Sequence, residues 1–491
     1  MKVSFRELVS HLGSVRANKL DSVYLPAAPG VFADVWGIHF YSDLRLELEL
    51  SASDHPLDAS LYLRILQTYA SVAEACGNQL GIQILEVQGE RLHLLWELAA
   101  PRPNEGLKLI DFSRAFHALA IQRIAEEAPG YRFTLRFAAD YGRALIVRTA
   151  GRNFSDSVIS LGDAANRPAK RLVVPVGHGG VPAGYLSVTA LAVGECLKGE
   201  PKWLDIDVAS QAFLERTRNN TFERSKAVLA NVEVANKRLV EASIAPNPLN
   251  LVGSPRFRQG FMLRADLDGF AAKIRSAFSD GDNGLQKLVE EFSTLIDYPK
   301  AFSDKLPRSV QTIVFPWAGD CANLFLMCED YGSERGYLPN RLGLEWHTLA
   351  DQAREGTAWR KLMGQTKWVV AIAGGDPSVE RHGSILTANV AASGRLFYVG
   401  AGWSWRRSLD AEQSDGLTRD DTVVQVEDFD GLSKPYRDAF QDHPENPTLF
   451  KVASLDALKQ TDHGLREELA RESLETKYRS ITIPRQRPYG E

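Results

Sequence analysis

The residues best suited to chemistry are carboxylates that recur at matched spacing. Phe32-Ala33-Asp34-Val35-Trp36-Gly37 is echoed by Arg264-Ala265-Asp266-Leu267-Asp268-Gly269-Phe270. Each stretch is followed by an apolar hairpin with an acidic tip, Gln88-Gly89-Glu90 and then Ala318-Gly319-Asp320. Asp34 precedes Glu90 by 56 residues, and Asp266 precedes Asp320 by 54. A strand-end carboxylate facing a hairpin-tip carboxylate can share Mg²⁺ or Mn²⁺, which take hard oxygen ligands. The Asp266–Phe270 stretch also reads as a sharp turn into a helix, whose backbone N–H groups suit phosphates. Either aspartate alone would serve as a turn cap; the repeated spacing is what points to a metal.

A second constellation is Ile159-Ser160-Leu161-Gly162-Asp163-Ala164-Ala165-Asn166-Arg167-Pro168-Ala169-Lys170-Arg171-Leu172. A glycine turn leads into a helix that carries Asn166 and Lys170 on one face at i, i+4. An amide there can orient a ribose, and a cation can offset charge at a phosphoryl transition state.

The elements that must position these groups recur as well. In the first part a strand ends near Asp34, and a helix follows with Leu61, Ile65, Tyr69 and Ala73 at i+4 spacing. Next come the hairpin Gly81–Val87 with Arg91–Trp96, a helix from about Asp111, and the strand Arg132–Phe137. In the second part Phe261-Met262-Leu263 leads into Asp266, and Leu285, Leu288, Val289, Phe292, Leu295 and Ile296 form a helical stripe. The hairpin Thr312–Phe315 with Ala322–Met327, a helix from Trp346 to Met363 and the strand Trp368–Ala373 complete it. Both parts read β-α-β-β-α-β, so the expected class is α+β with two ferredoxin-like domains in tandem. The expected division is residues 20–205, a charged helical linker at 206–248, a second domain at 249–440 and an extension at 441–491. Gly374-Gly375-Asp376 reads as a plain turn.

The 491 residues suit two domains, and a net charge of −5 offers no basic footprint for nucleic acid. No apolar run reaches membrane-spanning length, and Met1–Glu7 lacks a signal-peptide core, so no membrane association and a cytoplasmic location are expected. Four cysteines without CxxC pairing fit a reduced compartment. The histidines form no HxH or HExxH cluster for zinc.

These motifs together resemble the class III nucleotidyl cyclases. That family carries a Phe-x-Asp-Ile-x-Gly-Phe turn, a Gly-Asp hairpin tip and a Gly-x-x-x-Asn-x-x-x-Arg helix start. The Ala-Asn-x-Pro-Ala-Lys helix start also resembles the pyrimidine cyclases of bacterial Pycsar antiphage defence. The resemblance implies a site between two domains, paired within one chain or across a homodimer. Asp266, Asp320 and the Leu267 carbonyl would hold two divalent ions, Mn²⁺ or Mg²⁺. The amides of Asp268, Gly269 and Phe270 would bind phosphates. Asn166 would orient the ribose, and Lys170, or the adjacent Arg171, would stand in for the transition-state arginine.

The reciprocal site is expected to be degenerate. Asp34 faces Glu90, one methylene longer than aspartate, while Ser404 and Ser408 replace the asparagine and the cation. For the base, the resemblance points to Glu86 and Ile159, where purine cyclases using ATP carry lysine and aspartate. An ionised glutamate cannot donate to adenine N1, and isoleucine cannot accept from the exocyclic amine. Phe32 could stack on a base or belong to the core. The expectation is a pyrimidine nucleoside triphosphate, UTP favoured over CTP, converted to a cyclic monophosphate that an effector protein reads. A purine cyclase and a non-catalytic nucleotide-binding regulator are the alternatives.

Overall fold

The computed structural model describes residues 2, 32–47, 59–78, 80–129, 131–149, 157–174, 176–194, 202–209, 256–267, 269–295, 298–306, 310–328, 331–355, 368–373, 384–392, 395–402, 411, 417 and 420–465. The expected linker helix, Ser404, Ser408, the side chain and placement of Asp268, and Gly374-Gly375-Asp376 lie outside them.

The first half begins with the long strand β1 (Phe32–Glu47) and helix α1 (Ala59–Asn78), followed by the hairpin β2 (Gln83–Gln88) and β3 (Arg91–Glu97). Helix α2 (Pro103–Glu127), strands β4 (Arg132–Thr149) and β5 (Ser157–Leu161), helix α3 (Asp163–Val173), β6 (Tyr185–Thr189) and β7 (Trp203–Asp207) follow. The second half runs β8 (Arg256–Leu267), α4 (Phe270–Ser279), α5 (Gly281–Leu295), β9 (Val310–Ala318), β10 (Cys321–Cys328), α6 (Leu338–Glu355) and β11 (Trp368–Ala373). It continues with β12 (Ser384–Ala392), β13 (Arg395–Gly402), β14 (Asp421–Gln425), β15 (Gln441–Asp442) and β16 (Phe450–Ser454).

The two sheets repeat one plan. The first is ordered β2-β3-β1-β4-β6-β7, and the second contains β9-β10-β8-β11-β14-β16. In each the hairpin lies beside the opening strand, and a parallel strand follows the fourth, β6 on β4 and β14 on β11. Residues 441–454, at the start of the expected extension, supply β15 and β16; β16 pairs with β14 along Asp421–Gln425. Helix α2 starts eight residues before the expected Asp111. Pro103 occupies its first turn, and Glu105 accepts from the Arg102 backbone N–H at 3.1 Å, so the local start signal was in the sequence.

The helical stripes bury as their spacing dictates. Ile65, Tyr69 and Ala73 enter the first core, and Leu285, Leu288, Val289, Phe292 and Leu295 the second. The second core does not stop at its own half. Phe32, Leu145, Val147, Ile159 and Leu161, from β1, β4 and β5, join it. Burying side chains of this size contributes roughly 1.5–3 kcal/mol each. The halves therefore meet through a continuous apolar seam within one chain, with β2 also packed on β13 and β5 on β9.

Candidate active site

Strand pairing decides which carboxylates correspond. In the second half Cys321 lies opposite Asp266, and the Leu267 N–H donates to the Asp320 carbonyl at 3.3 Å. The strand-end and hairpin-tip aspartates are thus neighbours across one ladder. In the first half Arg91 lies opposite Asp43, and the Leu44 N–H donates to the Glu90 carbonyl at 2.8 Å. The counterpart of Asp266 is Asp43, not Asp34. Asp34 lies nine residues earlier on β1, opposite Leu145, about 30 Å along the strand at roughly 3.3 Å per residue. The matching Ala-Asp dipeptides hid this, because β1 is longer than β8 and begins well before the hairpin reaches it. The shared Asp-Leu pairs, Asp43-Leu44 and Asp266-Leu267, were the readable signal.

Asp34 has a different task. Arg143 binds it in bidentate fashion, Nε at 2.8 Å and Nη2 at 2.7 Å, and Lys2 approaches at 3.3 Å. Arg143 also donates to the Phe278 carbonyl at 3.4 Å and lies over the Phe278 ring, tying β4 to α4 of the other half. Hydrogen bonding from Arg143 holds the Asp34 carboxyl below its usual range against the opposing effect of burial.

The two matched aspartates differ in their surroundings. Burial disfavours an ionised Asp43, but Arg91, Arg45 and Arg136 outweigh it and hold the carboxyl at about 2. Arg136 donates to Asp43 and also to the Leu172 carbonyl at 2.7 Å, while Arg45 Nε donates to Asp43 at 2.8 Å. A guanidinium of the chain already balances this carboxylate. The chain beyond it differs too. After Asp43 the strand runs on through Glu47, pairing with Leu135 to Arg132. After Asp266 it ends at Leu267, turns at the left-handed Gly269 (φ 75°), and starts α4 at Phe270. Among the described residues, only the second half's matched aspartate is followed directly by a glycine turn into a helix N-terminus. The Phe270 side chain is buried against Phe292, so its amide rather than its ring is available there.

Asn166 and Lys170 stand on α3 of the first half, which faces this turn across the seam. A methyl placed on Gly319 would lie 3.6 Å from Asn166 Oδ1, so the amide stands over the hairpin tip that carries Asp320. Asp163 at the start of α3 pairs with Arg275 of α4 at 3.2 Å. Arg167 anchors the helix from behind through Asp140, Nε at 2.7 Å and Nη2 at 2.6 Å, an anchor that spacing alone did not reveal. Lys170 is exposed, and among the described residues no carboxylate pairs with it. The Arg171 guanidinium has partners of its own. It donates to Ser187 at 3.1 Å and Asp205 at 3.4 Å and lies over the Trp203 ring, turned onto its own sheet.

The expected base contacts divide. Phe32 and Ile159 are fully buried in the seam core and have no surface for a ligand. Glu86 lies at a bulge in β2, buried, with Gln88 donating to it at 2.5 Å. Burial pushes its carboxyl up to about 8, against the hydrogen bond from Gln88 and the charges of Arg264 and Arg91. A carboxyl protonated at neutral pH can donate, so the objection to adenine at this position is removed.

Two carboxylates and a strand-end carbonyl offer hard-oxygen donors that fit Mg²⁺ or Mn²⁺, and the N–H groups at the helix start suit a polyphosphate. Among the described residues no group of three or more His, Cys, Asp or Glu gathers into a metal cluster, so phosphate or water oxygens would complete any coordination. No described helix is long and apolar enough to cross a membrane.

No protein-family model matches the chain, and no curated protein matches it by sequence. Solved structures do. A class III adenylyl cyclase-like ATP-binding protein from Pseudomonas aeruginosa aligns over 93% of this chain and 98% of its own, with 16% identity and a TM-score of 0.61. The guanylyl cyclase Cya2 aligns over 35% of this chain and 90% of its own, at 12% identity and a TM-score of 0.27. The adenylyl cyclase CyaB of P. aeruginosa aligns over 35% and 94%, at 11% identity and a TM-score of 0.28. The first of these spans both halves, and the chain has a class III adenylyl cyclase-like fold.

Proposed function

We propose that the chain is a nucleotidyl cyclase with one productive site per pair of halves, formed within a single chain from two ferredoxin-like domains joined by the helix over 206–248. The carrying observation is Asn166 standing over the Gly319-Asp320 tip. It sets the ribose-orienting amide of one half against the acidic pair of the other. Asp266, Asp320 and the Leu267 carbonyl would hold two divalent ions. When bound, such ions neutralise the phosphates and lower the pKa of the 3′-hydroxyl. The amides of Asp268 to Phe270 hold the phosphates, Asn166 fixes the ribose, and Lys170 offsets charge on the reacting phosphoryl group. The 3′-hydroxyl loses its proton to solvent, its oxygen bonds to the α-phosphorus, and the bond to pyrophosphate breaks in line. A pyrimidine substrate, UTP before CTP, and a cyclic messenger of antiphage defence rest on the sequence resemblance.

A second reading is a nucleotide-binding protein without turnover. The likeness to the adenylyl cyclase-like ATP-binding protein of P. aeruginosa favours it, and so does a lysine at the arginine position. Incubating the purified chain with Mn²⁺ and each of the four triphosphates separates the two. Cyclic nucleotide plus pyrophosphate, abolished by Asp266→Ala, supports the cyclase. Binding with no product supports the regulator.

A further inference from the structure

The ladder that sets Asp43 against Arg91 on β3 also sets it against Arg136 on β4, so three charged side chains stand in one row across the first sheet. Side chains in such register have Cβ atoms about 4.5–5.5 Å apart. Arg45, two residues along β1, shares that face and donates to Asp43 at 2.8 Å. Gln88, opposite Arg91 on β2, adds no charge. In the second half the places of Arg91 and Arg136 beside Asp266 are taken by Cys321 and Val369, so the arginines belong to one half alone. Asp43 Oδ2 accepts from both Arg45 and Arg136, and Arg136 also donates to the carbonyls of Leu172 and Val181. Arg91 makes no hydrogen bond or ion pair with any described residue, although it is only 8% exposed. The Nε–H groups of Arg91 and Arg136 are both sealed from solvent and unpartnered. A buried guanidinium ordinarily has a partner, because a donor left unmade away from water is costly. Within the row three guanidinium groups meet one carboxylate, and each lowers the proton affinity of its neighbours, as Arg45 and Arg91 do for Arg136. The Arg45 side chain is 43% exposed, so the row opens to solvent at that end.

We propose that Arg45, Arg91 and Arg136 of the first half form a phosphate-binding site that needs no metal ion. Arg91 supplies a whole unused guanidinium fork, Arg136 an unused Nε–H, and Arg45 the solvent-facing lip. A phosphoryl group fits better than a carboxylate. It carries up to two negative charges, which match the row's surplus of guanidinium over carboxylate, and its tetrahedral oxygens accept from several forks at once. Asp43 keeps Arg45 and Arg136 in place and leaves Arg91 to the ligand. The same register position that offers a carboxylate to a cation in the second half thus offers arginines to an anion in the first. Free phosphate and the phosphoryl end of a nucleotide present the same chemistry to this row.

The test is equilibrium binding and thermal unfolding of the full chain in EDTA, which silences any metal-dependent site, with inorganic phosphate, UTP and ATP as probes. The wild type should bind at least one of them, and that probe in large excess over its Kd should raise the unfolding midpoint by at least about 3 °C. A response to inorganic phosphate identifies the free anion as ligand; a response to the triphosphates alone identifies the phosphoryl end of a nucleotide. Arg91→Met, which removes no bond within the chain, should weaken the binding at least about tenfold. Arg45→Met should weaken it at least about threefold, and this half-exposed position carries the test should Arg91→Met fail to fold. No binding of any probe in EDTA overturns the site, as does an affinity unchanged in Arg91→Met, or in Arg45→Met where that variant stands in. The cyclase reading is untouched by each of these outcomes, because its own test runs with Mn²⁺.

Discussion

Asp43 and Asp266 occupy the same place in two copies of one sheet, and the chain beyond each takes a different course. Around Asp43 the chain supplies Arg136, Arg45 and Arg91, and the strand carries straight on through Glu47. Around Asp266 the strand stops, turns at Gly269 and opens a helix N-terminus. The first arrangement is an ion cluster that needs no metal ion. The second is a carboxylate beside amides that suits a cation and a polyphosphate. The difference teaches that an aspartate at the same register position can be balanced by arginines of the chain itself instead of by a ligand.

The comparison breaks most readily at the aspartates. Asp266→Ala should abolish turnover in the Mn²⁺ assay with little change in thermal unfolding. Asp43→Ala should do the reverse, because Arg136 is left buried without its carboxylate, at a cost of about 3–5 kcal/mol. Equal effects of the two on activity would contradict the asymmetry.

The cations come next. Lys170→Ala should lower turnover by about 10³-fold, by analogy with transition-state arginines, and leave triphosphate affinity nearly unchanged. Arg171→Ala should leave turnover within about threefold and cost roughly 1 kcal/mol of stability through Ser187 and Asp205. Single-turnover rates and urea midpoints measure both, and a larger catalytic loss at Arg171 would return that residue to the site.

The pH dependence of stability sharpens the contrast between carboxyls. Glu86 titrates above its ordinary value, so its contribution is whole below about pH 4.5 and is lost as pH rises through about 8. Asp43 titrates below its ordinary value, so its contribution is whole above about pH 4 and is lost as pH falls through about 2. Urea unfolding from pH 5 to 9 should show a decline that Glu86→Gln flattens. A decline of unchanged slope in that variant would assign the effect elsewhere.

The smallest effect is expected at Asp34. Asp34→Ala should lower stability by about 1–2 kcal/mol by releasing Arg143 from the seam, and should leave metal-dependent turnover within about twofold. Loss of Mn²⁺ dependence in this variant would restore Asp34 to a metal site.

Local pattern carried a good part of this molecule. The stripe of Ile65, Tyr69 and Ala73, the hairpins ending at Glu90 and Asp320, and the turn at Gly269 follow from apolar spacing and from glycines in the left-handed region. So does the placement of Asn166 and Lys170 on one helix face. Short-range periodicity has no means of stating how far one strand slides along another, so it points to Asp34, nine residues from the counterpart of Asp266 that the ladder selects. Nor does it show which side chains a seam will swallow. Phe32 and Ile159 look equally suited to a pocket or a core, and long-range packing put both in the core. Protonation is more remote still. The sequence determined that residue 86 is a glutamate. Only burial in the folded chain, against the opposing charge of an arginine from the other sheet, pushes its carboxyl up to about 8, because a charge is destabilised by lost water. In the same way the sequence determined two sets of donors, and the tertiary pairing of α3 with the second hairpin decided that they face each other within one chain.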